Sequence, residues 1–219
     1  MIKLSKRLQL VASFIDDNSN VIDVGCDHAH LPIYLIETKK NIRVTASDVN
    51  PNPLKIAKDN IKQYNLENKI KLELKDGINN LDNNIDTVVI SGIGGILISE
   101  IISNKDNLKN VKALILSPNN EFPCVRKTLN KIGFKIIKEQ LITEKKQTYL
   151  VMKAVKGKMK INNFFGTLNN NDLETIYYYT KLLNTNTNIL KNIPKKKIIR
   201  RIKLKIENKK IRKFLERAL

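Results

Sequence analysis

The chain has 219 residues, 40 Lys plus Arg against 21 Asp plus Glu, a net charge of +19, and only two cysteines. Cys26 and Cys124 are too few for a disulfide framework and lack zinc-ligand spacing, so no metal is expected. The N terminus has no apolar h-region, and no apolar run approaches the roughly 18 residues of a membrane span; the expectation is a soluble, cytoplasmic monomer. The length suits one α/β core of about 150 residues plus an appendage.

In chain order, Leu4–Ile15 reads as a helix and Val21-Ile-Asp-Val-Gly as a buried strand, followed by a helix around Leu31–Lys39. Ile42-Arg-Val-Thr-Ala-Ser is a second strand, and Pro51–Tyr64 a helix with Pro53 tolerated in its first turn. Lys69–Leu74 alternates as a third strand. Ile85–Ile90 is a fourth, with a helix over Gly95–Ser103, and Val111–Leu116 a fifth, with a helix over Glu121–Lys131. The rhythm then changes. Phe134–Ile142 and Thr148–Ala154 are β-rich runs joined by Glu-Lys-Lys, with no room for a helix, so they form a hairpin. The predicted fold is α/β, a mostly parallel seven-stranded sheet that ends in an antiparallel hairpin, and this ending resembles that of Rossmann-like class I methyltransferase domains.

Beyond Gly157 the pattern is helical, which sets the expected domains at 1–156 and 157–219. After the polar tract Asn169–Asn171, Asp172–Leu190 and Pro194–Leu219 are candidate helices, with Pro194 suiting the start of the second. Apolar residues recur at Ile176, Tyr179, Leu182 and Leu183, then at Ile198, Ile199, Ile202, Ile206 and Leu215. Two such stripes predict an antiparallel helical hairpin or coiled coil. Charge is concentrated here. Residues 191–219 hold 13 basic and 2 acidic side chains, whereas residues 1–152 hold 22 and 17. A cluster of this kind is the footprint of a polyanion partner, with Lys195, Lys196, Lys197, Arg200 and Arg201 as candidate contacts and Lys6 and Arg7 as a second pair.

Ligands of open α/β sheets bind at the carboxyl ends of the strands. The first exit is Asp23-Val-Gly25-Cys26-Asp27-His28-Ala-His30-Leu31, which lacks the glycine pattern that cradles a pyrophosphate. A phosphate-free cofactor such as S-adenosylmethionine needs only a tight turn and acceptors for its cationic groups. Asp48-Val49 at the second exit can accept from ribose hydroxyls, and Asp76-Gly77 at the third from an adenine amine. Three acidic exits in order point to that cofactor. The fourth exit, Ser91-Gly92-Ile93-Gly94-Gly95, offers small-residue backbone, of which Ser91, Gly92, Ile93 and Gly94 are expected to border the cofactor, with its glycines read either as the target pocket lining or as relief of close packing. At the fifth, Ser117-Pro-Asn119-Asn120, Asn119 either reads a base edge or caps the following helix.

Together Leu4-Ser-Lys-Arg-Leu, Asp23-Val-Gly-Cys-Asp-His-Ala-His-Leu-Pro, Ser91-Gly-Ile-Gly-Gly and Ser117-Pro-Asn-Asn resemble the bacterial tRNA (adenine-22, ring N1) methyltransferase family, TrmK. The resemblance runs over essentially the whole chain. It implies S-adenosylmethionine as cofactor and adenosine 22 of certain tRNAs as substrate. The sequence departs from the family pattern at His30, where an aromatic is expected, and at Ile93, where Met is expected. Ring N1 of adenine has a lone pair and no proton, so the reaction needs alignment more than a base, and a carboxylate would favour the cationic product. Asp27 is the candidate for that carboxylate, with His28 and His30 for orienting the base or shuttling a proton. The target base has to be swung out of its stack. Aromatics are scarce, and Tyr34, Phe122 and Tyr149 are read as core rather than as a stacking platform. A small-molecule methyltransferase on the same fold, another RNA site, and a non-catalytic RNA-binding module are the competing readings.

Overall fold

The structure, a computed structural model, describes residues 1–218. The chain divides into two compact units, Met1–Thr167 and Leu168–Leu219. The first is built in the order α1 (Lys6–Ser13), β1 (Asn20–Val24), α2 (His30–Thr38), β2 (Arg43–Asp48), α3 (Pro51–Gln63), β3 (Ile70–Leu74), β4 (Thr87–Ser91), α4 (Gly95–Ile102), β5 (Ala113–Ser117), α5 (Phe122–Ile132), β6 (Phe134–Glu144) and β7 (Gln147–Lys156). A short 3-10 turn at Lys105–Leu108, not anticipated from periodicity, precedes β5.

The seven strands lie in the order β3-β2-β1-β4-β5-β7-β6. The first five pair in parallel, whereas β7 runs antiparallel to both β5 and β6. The central strands are buried on both faces. Val21, Val89, Ile115 and Val151 pack with α1 and α2 through Val11, Phe14, Leu31 and Leu35, which is why these strands read as continuous apolar runs. Edge strand β3 alternates in sequence, and exposed Lys71 pairs with largely buried Glu73 at 2.5 Å, so charge sits beside the free edge although Leu74 is 64% exposed. The strand order reverses about β1, whose neighbours are β2 and β4, and this switch point opens a crevice at the strand exits.

Two side chains hold the segment after β7 in place. Arg126 on α5 and Glu139 on β6 are both fully buried and pair at 2.7 Å. Arg126 Nη1 donates to the carbonyls of Asn163 (3.1 Å) and Phe164 (2.7 Å), while Glu139 Oε2 accepts from Thr167 N and Oγ1. Gly166, at φ +67°, lies so close to this pair that any Cβ there would collide with Glu139 Oε2 and Arg126 Nε. Residues 157–167 thus belong with the first unit.

The second unit is a pair of helices, α6 (Leu173–Asn192) and α7 (Ile198–Leu215). Asp172 caps α6 by accepting from Thr175 N at 2.9 Å. Pro194 ends α6 rather than starting α7. It holds Ile193 extended (ψ 134°), and a turn from Lys197 N to Pro194 O (3.0 Å) follows. Three consecutive lysines at 195–197 oppose a helix N-terminal dipole, consistent with the later start. The expected end of this helix, Leu219, lies outside the described residues. The expected apolar stripe on α7 is only partly used. Tyr179 packs edge-on against Phe214 (ring centroids 5.1 Å) and Ile211 is buried, but Ile198, Ile199, Ile202 and Ile206 remain 50–74% exposed. Buried Asn186 and Asn208 take part of the seam instead, bonding to Glu207 and Thr187 (both 3.3 Å). Arg201 Nη1 donates to Leu190 O (3.0 Å) and Ile193 O (2.9 Å), capping the end of α6 and setting the face that α7 turns inward.

Candidate functional site

The crevice at the switch point has a volume of about 530 Å³. Of the residues expected to hold the cofactor, Asp23, Gly25, Cys26, Asp27, His28, Leu31, Asp48, Val49, Asp76, Gly77, Ser91, Gly92 and Ile93 all line it. Gly94 does not. His30 and Arg7 line it as well, together with Leu8, Asn50, Lys75, Leu97 and Ile101, which were not singled out from sequence. A larger cavity, about 690 Å³, opens at the opposite ends of β1, β2 and β3. Two of its lysines are engaged, Lys39 Nζ with Ile15 O at 2.6 Å and Lys71 with Glu73 and Asp82, and it lies away from the strand exits at which open α/β sheets bind ligands.

The first turn is held under backbone strain. Gly25, Asp27 and Ala29 all adopt positive φ (74°, 49° and 56°), and Ala29 does so while fully buried. Neighbouring bonds enforce the shape. The amides of Gly25 and Cys26 both donate to Ser47 O (2.9 Å), Ala29 N donates to Cys26 O (2.9 Å), and Asn60 Nδ2 donates to His28 O (2.9 Å). A Cβ on Gly25 would meet nothing within 4 Å, so this backbone borders open space in the crevice.

Asp23 and Asp48 are the buried carboxylates of the site, 4% and 8% exposed. Asp48 Oδ1 accepts from Asn50 N (2.9 Å), and no lysine or arginine pairs with either acid among the described residues. Burial, and then the charge of Asp48, push the Asp23 carboxyl up to about 7. Burial likewise pushes the Cys26 thiol up, followed by Asp23 and Asp48, so Cys26 stays protonated and is no nucleophile. Two converging acids without a cation fit a ligand that is cationic and carries no phosphate. Asp27 is exposed, with its Oδ1 3.5 Å from His28 Nε2, and the His28 and His30 rings stack at 5.6 Å.

The glycine-rich fourth exit divides between its two readings. Gly95 meets the backbone of Asn120 and Glu121 so closely that α4 and α5 could not pack with a side chain there. Gly92, at φ +85°, instead leaves room for the Arg7 guanidinium, whose Nη1 would lie 3.2 Å from a Cβ. Asn119 does not cap a helix. Its Nδ2 donates to Gly92 O (2.6 Å) and its Oδ1 accepts from Arg7 Nη1 (3.4 Å), while neighbouring Asn120 takes the cap of α4 through Gly95 N (3.2 Å). Lys6 and Arg7, expected as a pair, separate. Lys6 is exposed and outside the crevice, whereas Arg7 reaches into it. In the second unit Lys195, Lys196, Lys197 and Arg200 are exposed, and Arg201 is partly engaged by its cap. Among the described residues no cluster of His, Cys, Asp and Glu could hold a metal ion, and no helix is long and apolar enough to cross a membrane.

Comparison with known proteins agrees with this geometry. The family model described as a methyltransferase domain matches residues 4–152. A tRNA (adenine(22)-N(1))-methyltransferase of Bacillus subtilis (strain 168) is 34% identical over 158 residues, 71% of this chain and 66% of that protein. TrmK of M. capricolum, solved with the cofactor product S-adenosyl-homocysteine, is 29% identical with a TM-score of 0.87, covering 97% of this chain and 98% of the other. A Streptococcus pneumoniae protein solved in complex with S-adenosyl-L-methionine is 30% identical with a TM-score of 0.88, covering 97% of this chain and 100% of the other. With the acidic strand exits, the strand order and these similarities together, the chain belongs to the methyltransferase-domain family and, within it, to the TrmK family.

Proposed function

We infer that this protein is an S-adenosylmethionine-dependent methyltransferase that modifies ring N1 of adenosine 22 in tRNA, acting as a monomer in the cytoplasm. The observation that carries the reading is the crevice, where unpaired Asp23 and Asp48 meet the open backbone of Gly25 at the switch point. The base and its position follow from the B. subtilis relative.

When bound, the cofactor supplies an activated methyl group on a sulfonium. The residues assigned to hold it are Asp23 and the turn Gly25–His28 on its cationic side, Asp48 and Val49 at the ribose, and Asp76 and Gly77 at the adenine. The target ring nitrogen attacks with its own lone pair, so no side chain has to remove a proton first. The protein's task is alignment and compensation of the positive charge that the base acquires. Asp27 is assigned that compensation because it stands at the mouth of the crevice with His28 beside it. We assign binding and catalysis to the first unit, expected as 1–156 and extended to Thr167 by the structure, and the grip on the tRNA backbone to the basic residues beyond it.

The direct test is incubation of purified protein with S-adenosylmethionine and tRNA, followed by mass spectrometry of the nucleosides. N1-methyladenosine mapped to position 22 is expected, and a methyl group at any other base or position would overturn the reading. Replacing Lys195, Lys196, Lys197, Arg200 and Arg201 by Gln is expected to weaken tRNA binding at least about tenfold and flatten its salt dependence. The affinity for S-adenosylmethionine should stay unchanged in isothermal titration, and an equal loss of both would refute the division of labour. Asp27→Asn, which tolerates the left-handed backbone of that position, should lower turnover about tenfold or more with cofactor binding intact. Wild-type turnover would remove Asp27 from the mechanism.

A further inference from the structure

Arg7 is an arginine without an acid. It has no ion-pair partner among the described residues, yet three neutral neighbours fix its position. Its guanidinium carbon lies over the Tyr149 ring, 5.0 Å from the centroid. Its Nη1 donates to Asn119 Oδ1 at 3.4 Å, and Asn119 is itself tied to Gly92 O and, through its backbone amide, to Ile93 O (2.9 Å). Gly92 has no side chain to displace the group. Of the five N–H donors of a guanidinium only one is used here, and the residue borders the crevice.

The antiparallel end of the sheet explains how Tyr149 comes to be there. Met152 of β7 pairs with Leu116 of β5, and β7 runs in the opposite direction. Tyr149, three residues before Met152, therefore lies at the exit end of β5, beside Asn119, although in sequence it reads as part of a core strand. The ring is half-buried, with one side available to the helix α1 residue above it.

We propose that Tyr149 is a positioning residue for methyl transfer, holding Arg7 as a planar wall beside Gly92 against which the target adenine is seated. This rests on the tRNA-methyltransferase reading above and assigns a role to a residue outside the strand-exit turns. Among the described residues, the rings bordering the crevice are the two imidazoles on the β1 side. The β4 exit presents Gly92 and Ile93 to the crevice, and Tyr149 at the β5 exit does not line it, because the Arg7 guanidinium lies over its ring and borders the crevice in its place. A guanidinium plane can take that place, since bases stack on arginine as they do on aromatic rings. A base contact also differs from a phosphate contact in a measurable way. A planar fork is not replaced by lysine, and a base contact adds nothing to counterion release.

The test uses the full-length protein and the position-22 assay, begun only once the wild type is shown to methylate that site, so that failure of the functional reading shows first and separately. Tyr149→Leu is expected to lower kcat/KM for tRNA about tenfold with unchanged affinity for S-adenosylmethionine, and Tyr149→Phe, which keeps the ring, to restore most of it. Arg7→Lys should be nearly as damaging as Arg7→Met, and the salt dependence of tRNA binding should keep its wild-type slope in both. Adding Tyr149→Leu to Arg7→Met should lower activity less than twofold further. The proposal is overturned if lysine at position 7 restores activity, if Arg7→Met flattens the salt slope by about one charge, or if the two losses multiply. Should Tyr149→Leu fail to fold, the Phe and Lys substitutions decide the matter, because neither removes buried packing.

Discussion

Asp23→Asn is expected to make the cofactor-free protein more stable and at the same time a poorer binder of S-adenosylmethionine. The carboxyl of Asp23 is held at about 7 by burial and by Asp48. An unfolded chain releases the same proton near pH 4. Below pH 4 both states are protonated and the group has no net effect. Between about pH 4 and 7 the fold retains a proton that the unfolded chain has lost, so rising pH favours unfolding. Above about 7 the full penalty, of order a few kcal/mol, is in place. Asparagine never ionises and escapes it. In thermal melts of the cofactor-free protein, the gap in Tm between variant and wild type should widen from pH 5 to pH 8. A constant gap would show that Asp23 does not titrate in this range. Ligand binding runs the other way. The ionised acid is the form that attracts a cationic ligand, so wild-type affinity should climb from pH 5 to 7 by up to about tenfold per unit, and the variant should bind weakly with a flat profile. A variant that binds as tightly as the wild type at pH 7.5 would remove Asp23 from the cofactor site. The same residue thus costs stability and supplies recognition, a conflict expected where a buried charge waits for its partner.

The second large effect concerns the segment after the hairpin. Glu139→Ala leaves the Arg126 guanidinium buried with no counter-charge, and it releases Thr167 at the same time. Breaking one side of such a pair costs about 3–5 kcal/mol. For a unit of this size that corresponds to a fall in Tm of about 10 °C. Thr167→Val, which removes only the hydroxyl bond, should cost about 1 kcal/mol. Circular dichroism melts and urea titrations measure both. Limited proteolysis should find new cleavage between residues 157 and 167 in Glu139→Ala, with affinity for S-adenosylmethionine in the remaining folded protein unchanged. A Tm within 2 °C of wild type would mean that water or a rearranged neighbour satisfies Arg126, whose Nη2 has no partner in the structure.

Much of the candidate site was legible because its residues follow strands directly. An acid just past a buried apolar run is at a strand exit whatever the remainder of the chain does, and parallel strands bring all such exits to one end of the sheet. Asp23, Asp48 and Asp76 were recoverable in this way, and so was the final hairpin, since two β runs with no helix between them have to pair antiparallel. Residues that reach the crevice from elsewhere were not. Arg7 comes from a helix before the first strand, and its sequence context matched that of Lys6, which points away. Lys75, Leu97 and Ile101 enter from the flank of a strand and the face of a helix, where polarity and period are those of ordinary surface and core. The appendage shows the same limit. Its helices were readable from the 3.6-residue period, but four isoleucines of the predicted seam stay exposed while Asn186 and Asn208 go inside.

The amino-acid sequence by itself determined the class of fold, the order of its elements, the acidic exits that demand a cationic ligand, and the basic C-terminal segment, because each is a local property of the chain: hydrophobic period, turn chemistry or charge density. Only the tertiary structure decided the neighbours of Tyr149, Arg126 and Gly166. Those contacts join segments far apart along the chain, and a side chain's partner across such a distance depends on strand direction and register, which no local pattern encodes.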